Sequence, residues 1–304
     1  MHIDRKIQLG ELYKELRIAR GLKQKDVARK GLSIAQLSKF ENGQTMLSAD
    51  KLLIAIESIH MTFEEFGHKL NNYELPKDII LGKKISTLFL KQDIKGLEYL
   101  LTEVLQSEET DQYQRIQSFI IENAIHSLDQ NYEINIEDRK ILVDYLFSIE
   151  SWTWFELYVF GNTMTLISDE DLLFFGEQLA ERTKDYNFLK HNLSSLKLTY
   201  INLIGELILR KIDTQVPLFI LELEKLLFPY DMLEIMLLKF LKLVNGYLKS
   251  KNSKKEIKQF IESLRVVGDS QLINILEVKL DQFGMAKDQM YETGYFIFET
   301  LLNI

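Results

Sequence analysis

Leu32-Ser33-Ile34-Ala35-Gln36-Leu37-Ser38-Lys39-Phe40-Glu41-Asn42-Gly43 holds a helix start, a one-sided apolar pattern and a helix stop within one short run. Ser33 followed three residues later by Gln36 is a capping box, in which the hydroxyl accepts a free helical N–H and the Gln side chain reaches back to the cap. Leu37 and Phe40 recur at helical spacing and define the inward face. Asn42-Gly43 is a common stop. Ala35, Gln36 and Lys39 fall outside the Leu37/Phe40 face. Their chemistry suits base reading in a DNA major groove. A Gln amide pairs bidentately with adenine, a Lys ammonium donates to guanine or phosphate, and an Ala methyl touches a thymine methyl.

The segments on either side support a helix-turn-helix. A short helix fits Gln24 to Lys30, with Val27 and Ala28 inward, and Gly31-Leu32 makes the tight break before Ser33. Gln24 and Lys25 open that helix, where free N–H groups and the helix dipole favour a phosphate. Upstream, Leu9, Leu12, Tyr13, Leu16 and Ala19 line one face of a helix stopped by Gly21. Arg17 on that helix, with Arg20 and Lys23 after it, is read as a phosphate contact. Ser48 opens a fourth helix that buries Leu52, Leu53 and Ile56, and Thr62 with Glu65 caps a fifth ending near Leu70. Residues 1–70 therefore read as a five-helix DNA-binding domain.

Charge places nucleic-acid contact in this head. Residues 1–70 carry 12 Lys/Arg against 9 Asp/Glu, a balance of +3; the remainder carries 25 against 36, a balance of −11, which together give the net −8. An acidic body repels phosphate. Cysteine is absent, which removes disulfides, thiolate metal sites and cysteine nucleophiles. No G-x-G-x-x-G, Walker A, H-E-x-x-H or G-x-S-x-G run occurs, and His2, His60, His68, His126 and His191 lack metal-ligand spacing. No catalytic residue, metal or cofactor is expected. The N-terminus has no apolar core like that of a signal peptide, and no run approaches a membrane span, so a cytoplasmic protein without membrane contact is expected.

Asn71 to Lys77 is a short polar stretch containing Pro76 and reads as the linker. Residues 78–304 then read as about ten to twelve helices. Among them are Lys91–Leu105, Asp111–Leu128, Ile136–Ser148, Trp152–Ile167, Asp169–Arg182 and Asn187–Arg210. Others fit Val216–Leu227, Asp231–Leu248, Lys254–Val267, Ser270–Phe283 and Met285–Leu302. Only three prolines interrupt the chain. Successive helices of this length indicate an all-α architecture, with an α-solenoid and a concave face after the head, although no strict repeat is visible. Trp152, Trp154 and Phe155 read as core or as a ligand box. Asn162, with Asn187 and Asn192 as further candidates, is read as a clamp on a peptide bond, because a side-chain amide offers both the donor and the acceptor that an extended backbone needs. A helix cap or exposed polar residue is the structural alternative for each.

Leu9-Gly10, Leu16-Arg17, Arg20-Gly21-Leu22-Lys23-Gln24, Val27-Ala28, Leu32-Ser33 and Gln36 to Gly43 resemble the Xre/Cro-type repressor domain. The link from Ala28 to Ser33 is one residue shorter than the usual Xre pattern, a shortening that the Rgg regulators of streptococci and relatives share. The stretch Trp152-Thr153-Trp154-Phe155-Glu156-Leu157-Tyr158-Val159-Phe160-Gly161-Asn162 resembles the signature of the Rgg/GadR/MutR C-terminal domain. The resemblance implies a homodimer, a TPR-like C-terminal domain and control by a short secreted peptide that is re-imported, as in quorum sensing. It also implies that a head cysteine joins subunits in some members, which this chain lacks. The function expected is a sequence-specific regulator that binds an inverted repeat in double-stranded promoter DNA and responds to a signalling peptide pheromone. Control by a small metabolite, or action without a ligand, is the alternative, and an enzyme or scaffold with a DNA-binding head is the different class. The charge division leads to a direct expectation: a fragment 1–70 retards duplex DNA weakly, and a fragment 78–304 gives no retarded band at any salt concentration.

Overall fold

The computed structural model describes residues 5–29, 31–106, 112–129, 131–187, 189–249 and 253–266, together with 272, 273, 276, 277 and 280. Among them are fifteen α-helices and one 3₁₀ turn, and no strand. The chain divides into two compact units, Met1–Ile80 and Leu81–Ile304.

The first unit contains α1 (Arg5–Ala19), α2 (Gln24–Val27), α3 (Ile34–Glu41), α4 (Ala49–Ser58) and α5 (Phe63–Leu70). Its boundaries follow local chemistry. The Ser33 hydroxyl accepts from the Gln36 N–H at 3.2 Å while Gln36 Oε1 accepts from the Ser33 N–H at 3.1 Å, and Thr62 with Glu65 repeats the arrangement before α5. Gly21 and Gly43, at φ 71° and 67°, take the left-handed conformation that ends α1 and α3. α2 is shorter than its sequence pattern, because Ala28 turns extended and Arg29 and Leu32 then exchange backbone hydrogen bonds around Gly31. Tyr13, Leu16, Val27, Leu32, Leu37, Phe40, Ile56 and Phe66 form the core. α1 meets α3 at Gly10, where an added Cβ would lie 1.9 Å from the Phe40 carbonyl oxygen. The close approach of these two backbones therefore requires glycine.

α6 (Lys77–Leu90) begins within the stretch read as the linker. α7 (Ile94–Leu105) starts later than Lys91, because Asp93 caps it through the Gly96 N–H. The body continues with α8 (Gln112–Leu128), α9 (Ile136–Ser148), α10 (Trp154–Gly161), the turn Met164–Leu166, α11 (Asp169–Thr183) and α12 (Lys190–Leu209). α13 (Val216–Leu226), α14 (Met232–Leu248) and α15 (Lys254–Leu264) complete the described helices. The helices expected over 270–283 and 285–302 fall almost wholly outside the described residues. α7 packs on α8, α8 on α9 and α14 on α15, the neighbour-on-neighbour stacking of a TPR-like α-solenoid. α12 is the hub, packed against α10, α13 and α14, and it is buried almost all round from Asn192 to Ile208.

The continuous helix expected over 152–167 is broken after Gly161, and the break is held by side chains from other helices. Asn202 Nδ2 donates to the Gly161 carbonyl at 3.1 Å, and Asn123 Nδ2 donates to the Asn162 carbonyl at 2.8 Å. Arg210 donates to the carbonyls of Met164 and Ile167, and Arg182 to those of Leu146 and Ile149. These are the carbonyls that a helix end leaves without an intrahelical partner. Trp152 is fully buried against Phe160 and Phe175, which assigns it to the core. Gly10→Ala is expected to separate α1 from α3 and to lower the stability of the first unit by about 1–3 kcal/mol or more. Hydrogen exchange on the full chain reads this as faster exchange in α1 to α5 with α8 to α12 unchanged.

Candidate nucleic-acid interface and ligand site

The outward side of α3 is built by its cap and its core contacts. With Leu37 and Phe40 fully buried, Ala35 and Lys39 are exposed and Gln36 is half-buried. Gln36 Oε1 is occupied by the Ser33 N–H and hydroxyl, so its amide NH2 is the group left for a ligand. The bidentate adenine pair read from sequence needs that oxygen and is incompatible with the intact capping box. With the capping box intact, the Gln36 side chain presents only its NH2 donors outward. Lys25 is exposed at the start of α2, and Gln24 Nε2 donates to Glu41 Oε2 at 2.8 Å.

Arg17 corrects the sequence reading. It is 6% exposed, with Nε on Glu41 Oε1 at 2.6 Å, Nη2 on Glu41 Oε2 at 2.7 Å and Nη1 on the Leu22 carbonyl at 2.5 Å. A guanidinium committed in this way inside the domain does not reach a phosphate. The hydrogen bond to Glu41 raises the Arg17 pKa above its ordinary value, against the opposing effect of burial. Tyr13 lies beside the pair and donates to the Ala55 carbonyl at 3.2 Å, and burial followed by the Glu41 charge pushes its hydroxyl pKa up. Glu41 ends α3, Arg17 lies on α1 and Gln24 opens α2, so one carboxylate ties three helices together. The sequence carries half of this signal: an acid one turn after Leu37 on the apolar side of a short helix needs a cation, but nothing local says which one.

Asn162 is a second correction. It is fully buried as the residue that ends α10, its Nδ2 donates to the Tyr158 carbonyl at 2.7 Å, and its own carbonyl accepts from Asn123. It is a structural tie between α8 and α10 rather than a group facing a groove. Asn187 is half-buried in the turn before α12, and Asn192 is 8% exposed in its first turn. Asn187 Oδ1 and Asn192 Nδ2 are buried without a hydrogen-bond partner, as are Trp154 Nε1 and Asn202 Oδ1. The Trp154 ring stacks on Tyr158, with centroids 5.0 Å apart, and lies 5.4 Å from His191. Sequence reasoning missed Asn202. Its signal is the polar row Asn192, Ser195, Thr199, Asn202 and Glu206, which recurs at helical spacing along α12. Thr199 satisfies itself on the Ser195 carbonyl at 2.8 Å, and Glu206 pairs with Arg210 at 2.7 Å.

A capped reading helix in a small basic domain, followed by an all-helical array with amides along its central helix, defines a helix-turn-helix transcription regulator with a helical-repeat body. The description "Helix-turn-helix" matches residues 14–66, and "HTH-type transcriptional regulator Rgg, C-terminal domain" matches residues 99–298. The chain belongs to the Rgg family of helix-turn-helix transcriptional regulators. Three solved structures share its fold. A Listeria monocytogenes EGD-e protein taken to be a transcriptional regulator aligns at 20% identity and TM-score 0.77, over 93% of this chain and 99% of that one. The SHP pheromone receptor Rgg2 of Streptococcus dysgalactiae aligns at 19% identity and TM-score 0.73, over 90% and 99%. PrgX in its complex with cCF10 aligns at 16% identity and TM-score 0.65, over 92% and 93%.

Arg17→Ala is expected to leave Glu41 buried and uncompensated and to destabilise the first unit by about 3–5 kcal/mol, with Glu41→Ala doing the same to Arg17. Urea denaturation of the full chain, read by hydrogen exchange in α1 to α5, checks this. A phosphate-contact role would instead leave stability unchanged and lower the salt dependence of DNA binding by about one ion.

Proposed function

We propose that this regulator acts as a cytoplasmic homodimer on an inverted repeat in double-stranded promoter DNA, and that a short signalling peptide bound on the concave face of its body controls it, as in quorum sensing. In the head, Gln36 and Lys39 contact base edges, Ala35 lies against the groove floor, and Gln24 and Lys25 contact phosphate. Support comes from the exposure of Ala35 and Lys39 on one side of a capped helix and from the second Nε2 proton of Gln24, which Glu41 does not use. Two heads are needed because one short helix reads only a few base pairs, and paired half-sites then lie about 34 Å, or one turn of DNA, apart.

The observation that carries the peptide reading is the set of unpartnered buried groups on α10, α12 and the turn between α11 and α12. Trp154 Nε1 and Asn192 Nδ2 are donors, and Asn187 Oδ1 and Asn202 Oδ1 are acceptors. Each buried polar group left unpaired costs about 1–3 kcal/mol. An extended peptide offers one donor and one acceptor per residue, the complement of this mixture. The pheromone receptor Rgg2 and the PrgX/cCF10 complex share the fold and supply the ligand class.

Such a peptide regulates only by binding one arrangement of the dimer more tightly than the other. Calorimetric titration with peptides encoded beside the gene is expected to detect a binder whose affinity falls about fivefold to a hundredfold on Asn192→Ala, the loss of one buried hydrogen-bonding partner. The same peptide should change the affinity of the full chain for its selected DNA duplex. If every candidate peptide leaves both the heat signal and the DNA affinity unchanged, peptide control is wrong while DNA reading stands.

A further inference from the structure

The apolar residues of α3 are not all directed inward. Leu37 and Phe40 are fully buried, but Ile34, the first residue of the helix, is 50% exposed. Ile34 borders exposed Ala35, and Lys39 is exposed further along the same helix. The only acid within α3 is Glu41, which is buried and neutralised by Arg17. The outward side of this helix thus combines an apolar first turn, an amide donor and a cation, with no exposed carboxylate. A polyanion bearing an apolar spot matches that surface. The major groove of B-DNA is one, and its apolar spot is the 5-methyl group of thymine.

Two further features favour contact at this place. The Ser33/Gln36 capping box sets the geometry of the first turn, so Ile34 leaves the helix in a defined direction. Its β-branched side chain has few rotamers, so ordering it against a ligand costs little entropy. We propose that Ile34 is a specificity-determining residue that packs on the 5-methyl group of a thymine in each half-site, beside a base edge that accepts a hydrogen bond from the Gln36 amide. The inference rests on the DNA reading proposed above and adds the base it selects.

The test starts from duplexes with a random central segment, from which the full-length protein enriches its preferred sequence. That duplex is then made with one thymine position at a time replaced by deoxyuridine, which removes only the methyl group. At one thymine position per half-site the wild-type affinity is expected to fall about threefold to tenfold, the scale of a buried methyl group. Ile34→Ala is expected to bind thymine and uracil duplexes equally, and Ile34→Val to keep part of the preference, with melting temperature and oligomeric state unchanged in both. Wild-type protein that ignores every substitution, or Ile34→Ala protein that keeps the full preference, overturns the assignment while leaving sequence-specific binding intact. A changed oligomeric state in Ile34→Ala would show that a second copy covers this side chain, and would also overturn it. Failure to enrich any duplex overturns both the inference and the DNA reading beneath it.

Discussion

A helix that ends inside a protein leaves carbonyl groups that water cannot reach, and α10 ends in the middle of the body. Its last carbonyls are taken by Asn202 from α12 and Asn123 from α8, and Asn162 turns its amide back onto the Tyr158 carbonyl. An unpaired carbonyl at this depth costs about 1–3 kcal/mol, so these three amides determine where α10 can stop and which helices flank it. The same device recurs with arginine. Arg182 closes the end of α9, and Arg210 closes the 3₁₀ turn through the carbonyls of Met164 and Ile167. The solenoid is therefore held in register by a few polar side chains that cap their neighbours, with apolar contact filling the space between.

The head solves a different problem with one carboxylate. Its helices are short, and α2 is a single turn that could not persist alone. Glu41 takes two donors from Arg17 and one from Gln24, which joins the end of α3 to α1 and to the start of α2. Desolvating such a pair is costly, and its benefit is orientation as much as stability. The exposed side chains of α2 and α3 thereby keep a fixed spacing, as a reader of a rigid double helix requires.

The two units differ in how completely their polar groups are satisfied. Among the described residues of the head, the buried charges are paired and the caps of α3 and α5 are closed. In the body, the α10–α12 seam retains donors and acceptors of both kinds without partners. Proteins tolerate such groups where binding needs them, and natural sequences depart from local rules chiefly at functional or strained places.

The five helices of the head, the caps at Ser33 and Thr62, the stop at Gly43 and most body helices were legible because each rests on local signals: spacing, a capping side chain or a left-handed glycine. The Leu37/Phe40 face, and with it the outward position of Ala35 and Lys39, was legible for the same reason. The roles of Arg17 and Asn162 were not. An arginine on a basic helix and an asparagine after an aromatic run look like surface groups in one dimension. Arg17 became a buried partner because folding brings Glu41 to it from 24 positions away, and Asn162 became a tie because α8 supplies Asn123 from 39 positions away. The exposure of Ile34 and the unpaired amides of α12 are likewise tertiary facts. The sequence alone thus determined most of the elements, the caps at Ser33 and Thr62 and the charge division between head and body, since those depend on local residues, while the end of α10 needed amides from α8 and α12. Which polar side chains are paired inside, and which are left without a partner, was decided only when distant helices met, because burial and hydrogen bonding depend on what packs in space.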